Sequence, residues 1–146
     1  MNATKTIVAA SAAVLLGVGL ATATMAEERE LHSDEARNTL AEFEYTGESQ
    51  LCLSMSRIRD IDVLDDWTLL IEMPGHTYYV THMPRQCPQL AFEDEFTYTI
   101  IANQLCHDDT ITVRVSRIRP FSGRTGATCA LAKFEELREK KDGLDR

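Results

Sequence analysis

Two pairs of arginines stand at a spacing that suits anion recognition: Arg57 and Arg59 in Ser56-Arg57-Ile58-Arg59, and Arg117 and Arg119 in Ser116-Arg117-Ile118-Arg119. Residues two apart on an extended strand point to the same side, so each pair is expected to project together. A guanidinium is a planar fork that grips a carboxylate or phosphate through two parallel hydrogen bonds. With Arg114 and Arg124 nearby, these cations gather in two segments of an acidic chain. If the two segments are neighbours, Arg57, Arg59, Arg117 and Arg119 form a ligand-binding patch for an anion such as a carboxylate, a phosphate or an acidic glycan. The plainer alternative is a set of solvated arginines paired weakly with surface acids. Nothing else around the Ser-Arg-Ile-Arg echo matches, which argues against a true repeat.

The remaining reactive side chains carry no motif. The four histidines are His32, His76, His82 and His107, and no two share a helix at ligand spacing. A joint metal site of His76 and His82 with one or both of Asp108 and Asp109 has no pattern behind it. Asp60-Ile61-Asp62 with Asp65-Asp66 fails as a calcium loop, because the sixth and twelfth positions hold Asp65 and Ile71 where Gly and Glu are required. Ser122-Gly123 lacks the preceding Gly-x of a nucleophile elbow, and no Gly-Lys-Ser/Thr follows Gly123 to make a phosphate loop. The sequence assigns no catalytic residue, metal or cofactor. It reads as a non-enzymatic periplasmic binding or interaction module, whose partner is an anionic envelope ligand or a protein. The alternative is an envelope hydrolase, or another enzyme with a carboxylate or histidine site that no motif marks.

The N-terminus predicts export. Lys5 precedes an apolar run from Ile7 to Leu20, followed by the small residues Ala21-Thr22-Ala23-Thr24-Met25-Ala26. That order is a secretory signal, with cleavage expected after Ala26, where Glu27-Glu28-Arg29-Glu30 begins, or alternatively after Ala23. Left uncleaved, Ile7 to Ala26 is uncharged and long enough to anchor in a bilayer, although its many Ala, Thr, Ser and Gly residues favour insertion only weakly. After cleavage no stable membrane insertion is expected, and the protein is periplasmic or secreted. Losing Lys5 makes the remainder one unit more negative than the whole chain's −8. A surface that acidic is unsuited to nucleic acid, whose phosphates require a surplus of Lys and Arg.

All four cysteines, Cys52, Cys87, Cys106 and Cys129, follow the signal, and an even number in an exported domain implies two disulfides. Three pairings are open. The spacing favours the nested one, Cys87 with Cys106 flanking one connected segment, and Cys52 with Cys129 joining the first strand to the last segment.

These side chains must be carried by a mainly β fold. Ala36, Leu40 and Phe43 recur at helical spacing between Ser33 and Glu44, with Ser33 or Asp34 as cap, and Tyr45-Thr46-Gly47-Glu48 is expected to end that helix. Strands are expected over 51–59, on both sides of a turn at Asp65-Asp66 within 61–73, and over 77–83, 96–100 and 110–115. The end from Phe134 to Lys141 is so charged that it reads as a frayed helix or tail. The expected architecture is a small antiparallel barrel or sandwich of five to six strands with a short N-terminal helix. Its divisions are a signal peptide (1–26), a helical lead-in (27–48), a disulfide-bonded β domain (49–136) and a charged tail (137–146). The core predicted for it comprises Leu53, Ile58, Val63, Trp67, Leu69, Ile71, Tyr79, Val80, Phe96, Ile111, Val113 and Val115.

One set of residues adds a resemblance. It comprises Cys52-Leu53-Ser54, Arg57-Ile58-Arg59, Val63-Leu64-Asp65-Asp66 with Thr68-Leu69-Leu70, Tyr79-Val80, Cys87-Pro88 with Leu90, Leu105-Cys106 with Asp109, and Cys129. Over about residues 50 to 135 the chain resembles a family of small exported bacterial proteins classed as a domain of unknown function. That resemblance implies an exported, disulfide-bonded, β-rich protein and brings no catalytic residue. Lipid anchoring, which some members show, does not carry over, because no cysteine stands at the cleavage site.

Overall fold

The computed structural model describes residues 31–115 and 124–141. The expected signal segment 1–26, Arg117, Arg119 and the end of the tail lie outside the described residues. Helix α1 (Asp34–Leu40) opens the described chain, with Ser33 capping it as the sequence predicts: the Ser33 hydroxyl accepts from Ala36 N–H at 3.0 Å. The helix stops at Leu40, earlier than expected. Phe43 already begins strand β1 (Phe43–Gln50), so the expected helix end and the second half of the helical lead-in are strand.

After β1 come β2 (Cys52–Ser54), a single 3₁₀ turn (Met55–Arg57), β3 (Asp60–Val63), β4 (Thr68–Met73) and β5 (Thr77–His82). A one-turn helix α2 (Leu90–Glu93) leads to β6 (Phe96–Thr99), β7 (Gln104–Cys106), β8 (Thr110–Val115), β9 (Arg124–Ala130) and β10 (Phe134–Glu139). All pairings are antiparallel. The strands form a five-stranded sheet in the order β1-β10-β5-β4-β3, a three-stranded sheet β6-β8-β9 and a ribbon β2-β7. The mainly β, antiparallel class with one short N-terminal helix is thus present. Among the described residues the strands number ten rather than five to six, and their sheets do not close into a barrel.

One face of the five-stranded sheet, through Leu69, Ile71, Met73, Tyr79 and Phe134, shares a core with Ile111, Val113 and Cys129 of the three-stranded sheet and with Leu53 and Leu105 of the ribbon. The opposite face packs Leu70, Val80 and Leu137 against Ala36 and Leu40 of α1. Most of the predicted core is buried, with Ile58, Val63 and Phe96 packed at its margin. Trp67 is half-buried and stacks instead on His32, with ring centroids 4.1 Å apart.

The expected charged tail is corrected by β10, which lies between β1 and β5 inside the sheet. Phe134 and Leu137 stand three apart, a helical spacing. On a strand that spacing sends them to opposite faces, and here both faces are covered: Phe134 enters one core and Leu137 the other.

The nested disulfide pairing is also overturned. Cys52 bonds Cys106 and Cys87 bonds Cys129, so the two loops interleave. Cys52 and Cys106 face each other in register across the ribbon, with Cα atoms 4.0 Å apart. The His107 N–H to Leu51 carbonyl bond beside them marks a non-hydrogen-bonded pair, the site where opposed side chains come closest. Cys87 sits in the loop after β5 and reaches Cys129 in β9, and both are buried. Strand pairing, rather than nearness along the chain, decides which sulfurs meet.

Candidate functional site

The arginines at 57 and 59 do not form the strand pair that the sequence suggests. Arg57 ends the 3₁₀ turn, while Arg59 lies just before β3, where its N–H donates to the Glu72 carbonyl and its guanidinium approaches Glu72 Oε1 at 3.8 Å. Arg57 acts electrostatically on Tyr79, and Arg59 on Tyr78. Arg117 and Arg119, and with them the four-arginine patch that the sequence suggests, lie outside the described residues.

The histidines are equally dispersed. His76 occupies the turn before β5 and His82 ends that strand, a separation of roughly 20 Å at the usual rise per residue. His82 is held by the Tyr45 hydroxyl (3.2 Å) and by Thr68 Oγ1 (3.4 Å). Asp109, the other supposed ligand, instead closes a turn: its Oδ2 accepts from Cys106 N–H at 2.7 Å. The carboxylates concentrate at the β3 edge. Asp62 is held above the usual carboxylate range, first by partial desolvation and then by Asp60, Asp94 and Glu72. Asp62 is nevertheless exposed, so this cluster encloses no reaction space.

A different place gathers what a binding surface requires. A cavity of about 550 Å³ is lined on one side by Pro84, Arg85, Gln86 and Pro88, and on the other by Thr110 and residues 127–130 of β9. Cys129 and Ala127 belong to the core side of β9, whereas Thr128 belongs to its outer side; Thr128 Oγ1 lies 3.1 Å from Thr112 Oγ1. A cavity that touches both faces of one strand must run along that strand's edge. Among the described residues β9 pairs only with β8, so this edge carries no neighbouring strand.

The ladder sets which backbone groups face the cavity. The Leu131 N–H bonds the Asp109 carbonyl, next to the opposed pair Thr110 and Ala130. In the antiparallel alternation, that makes Thr110–Ala130 and Thr112–Thr128 non-hydrogen-bonded pairs and Ile111–Cys129 the hydrogen-bonded one. The N–H and C=O groups of Thr128 and Ala130 therefore point away from β8, toward the groove. Their side chains are short, and Thr125 to Ala130 contains no charge and no proline, the usual guards of an open edge. In the five- and three-stranded sheets the other outer strands are better guarded. β1 carries Glu44 and Glu48, β3 carries Asp60 and Asp62, and the short β6 is preceded by Asp94 and Glu95.

The opposite wall is fixed rather than loose. The Cys87–Cys129 bond ties it to β9 itself. Asp66, in the turn between β3 and β4, accepts from Ala91 N–H (2.9 Å) and from Gln86 Nε2 (3.2 Å), and its carbonyl accepts from Cys87 N–H (2.7 Å). Arg85 is the only charged side chain lining the groove, is exposed, and forms no ion pair among the described residues. Sequence reading missed this site because 124–130 has too little hydrophobic alternation to register as a strand, and the open edge becomes visible only from the sheet order. The signal that was available is Cys129 itself, since a disulfide-anchored run of small residues indicates a backbone held in place.

No protein-family model, curated protein or solved structure matches the chain.

Proposed function

We propose that this protein is a non-enzymatic interaction module that works outside the cytoplasm, in the periplasm or as a secreted protein, and takes its partner along the open edge of β9. The observation that carries this reading is the groove bounded by the outward backbone groups of Thr128 and Ala130 and by the disulfide-fixed wall 84–88. Strand addition of this kind draws its affinity from main-chain hydrogen bonds and its selectivity from the neighbouring side chains. Export by the N-terminal signal fits a domain whose four cysteines are all oxidised. Membership of the small exported bacterial family with the same cysteine framework belongs to the same proposal. The anion-binding role that the sequence suggests for a four-arginine patch passes in this reading to Arg85.

Photocrosslinking tests the assignment. A photoreactive residue at position 128 in cells should give a discrete adduct that Ala130→Pro abolishes, because proline removes one outward N–H while leaving the β8 side of the ladder intact. The same label at Thr97 on β6 should give none. An adduct from Thr97 alone, or one from Thr128 that survives Ala130→Pro, would place the partner elsewhere.

A further inference from the structure

The occupant of the β9 groove has a definable chemistry. We infer that it is an extended protein segment carrying an acidic side chain, paired with β9 and placing its carboxylate against Arg85; this rests on the reading of β9 as the binding edge.

Three observations converge on that occupant. The outward N–H and C=O groups of Thr128 and Ala130 alternate at the two-residue repeat of a strand, so their complement is another strand rather than a helix or a small ion. The side chains they leave in the groove, Ala127, Thr128 and Ala130, are short enough for a second backbone to approach to ladder distance. The single charge on the groove walls is a guanidinium, and it has no acidic partner among the described residues. An arginine with no ion pair among the described residues, standing beside an open strand edge, is locally complementary to a carboxylate and opposes a lysine or arginine. The proline pair Pro84 and Pro88 adds walls that donate no backbone N–H, so the wall does not compete with the incoming strand for its carbonyls at those two positions.

A second copy of this chain is a poorer occupant. Pairing β9 with itself across a two-fold axis presents the same surface from both partners and brings no carboxylate among the groove-lining residues to meet either Arg85.

The test uses the signal-free, disulfide-intact protein and short synthetic peptides of alternating threonine and valine with a central glutamate, glutamine or lysine. Binding is followed by fluorescence anisotropy, and the protection of individual amides by hydrogen exchange. The glutamate peptide is expected to protect the Thr128 and Ala130 amides and to bind about fivefold more tightly than the glutamine peptide. Arg85→Ala should erase that preference while leaving the glutamine peptide unchanged. N-methylation of alternate peptide amides should abolish binding by all of them, a readout that needs no protein variant and so does not depend on the folding of Ala130→Pro.

Equal binding of the three peptides, with Thr128 and Ala130 still protected, would overturn the acidic preference while leaving the edge reading intact. Absence of protection with every peptide would overturn both. Concentration-dependent dimerisation that protects the same two amides without peptide would replace the partner segment with a second copy.

Discussion

The backbone N–H of Cys87 donates to the carbonyl of Asp66 at 2.7 Å, so the turn between β3 and β4 holds the loop that carries the buried disulfide. The Asp66 side chain strengthens the same joint by accepting from Ala91 and Gln86. Removing it in Asp66→Ala leaves the Ala91 N–H of α2 without its protein acceptor and should destabilise the protein by about 0.5–1.5 kcal/mol. Asp66→Asn, which keeps an acceptor for Ala91, should lose less. Chemical denaturation of both variants measures the difference, and equal losses would show that the Ala91 bond contributes little.

The two disulfides differ in access, and their reduction should follow that difference. Cys52 is exposed and Cys106 half-buried, whereas Cys87 is fully buried and Cys129 is 8% exposed. Limited phosphine reduction followed by alkylation and peptide mapping should label Cys52 and Cys106 first, since exchange depends on access to sulfur. Each bond closes a long stretch, with sequence separations of 54 and 42 residues, and on the chain-entropy view contributes about 4 kcal/mol. Simultaneous labelling of all four cysteines would mean that the molecule opens as one unit.

Gly126 is needed for space. A Cβ there would lie 3.1 Å from Val115 Cγ2 and 3.2 Å from both the Cβ and the carbonyl oxygen of Val113, and that backbone belongs to the central strand of its sheet. The register shifts beside it, with Gly126 and Ala127 opposite Val113 alone, as in a one-residue bulge. Gly126→Ala should therefore cost about 1–3 kcal/mol in equilibrium unfolding. A neutral result would show that the bulge can slide.

The turn at Ala102 offers the opposite opportunity. Ala102 and Asn103 both have positive φ, 57° and 56°, between the bridged residues Ile101 and Gln104, the geometry of a two-residue hairpin turn. Asparagine tolerates that region and alanine does not, so Ala102→Gly should stabilise by about 1 kcal/mol. A lowered melting temperature would contradict the assignment of the turn.

Asp62 makes one pH-dependent contribution. Its folded pKa is raised, so the native state binds its proton more tightly than the unfolded chain does. Stability from this group is present below the unfolded pKa and is lost as pH rises through the folded one. Asp62→Asn should raise the melting temperature at neutral pH, and the gain should vanish in acid, where the wild-type carboxyl is protonated in both states. A gain that persisted in acid would trace to packing instead of charge.

Much of the fold is written locally. Ser33 caps a helix, Pro74-Gly75 makes a turn with Gly75 at φ +86°, and β4, β5 and β8 follow from β-branched and aromatic alternation. The elements missed are those where local preference and tertiary demand disagree. Phe134 to Glu139 is built of helix-favouring glutamates, yet two cores draw Phe134 and Leu137 to opposite faces. Phe43 fits the helical repeat of α1 and instead packs on Tyr78, ring centroids 4.9 Å apart, as part of a strand. Residues 124–130 lack large side chains, so their strand character comes almost wholly from β8. The candidate site inherits that blindness, since its chemistry is main-chain chemistry and any sequence of small residues can present it.

The position of β10 also bears on how the molecule assembles. β1 pairs with β10 and with no other strand of the five-stranded sheet, so the hydrogen-bonded ladder of the first strand described reaches the rest of the sheet through the last. A nascent chain that has emerged through β9 holds β3, β4 and β5 in sequential hairpins, while β1 and the apolar side of α1 still wait for Leu137. That long-range closure carries the loop entropy of nearly the whole domain and marks it as the slow step. Until it happens, β5 presents a second open edge, filled in the finished molecule by the chain's own C-terminal strand.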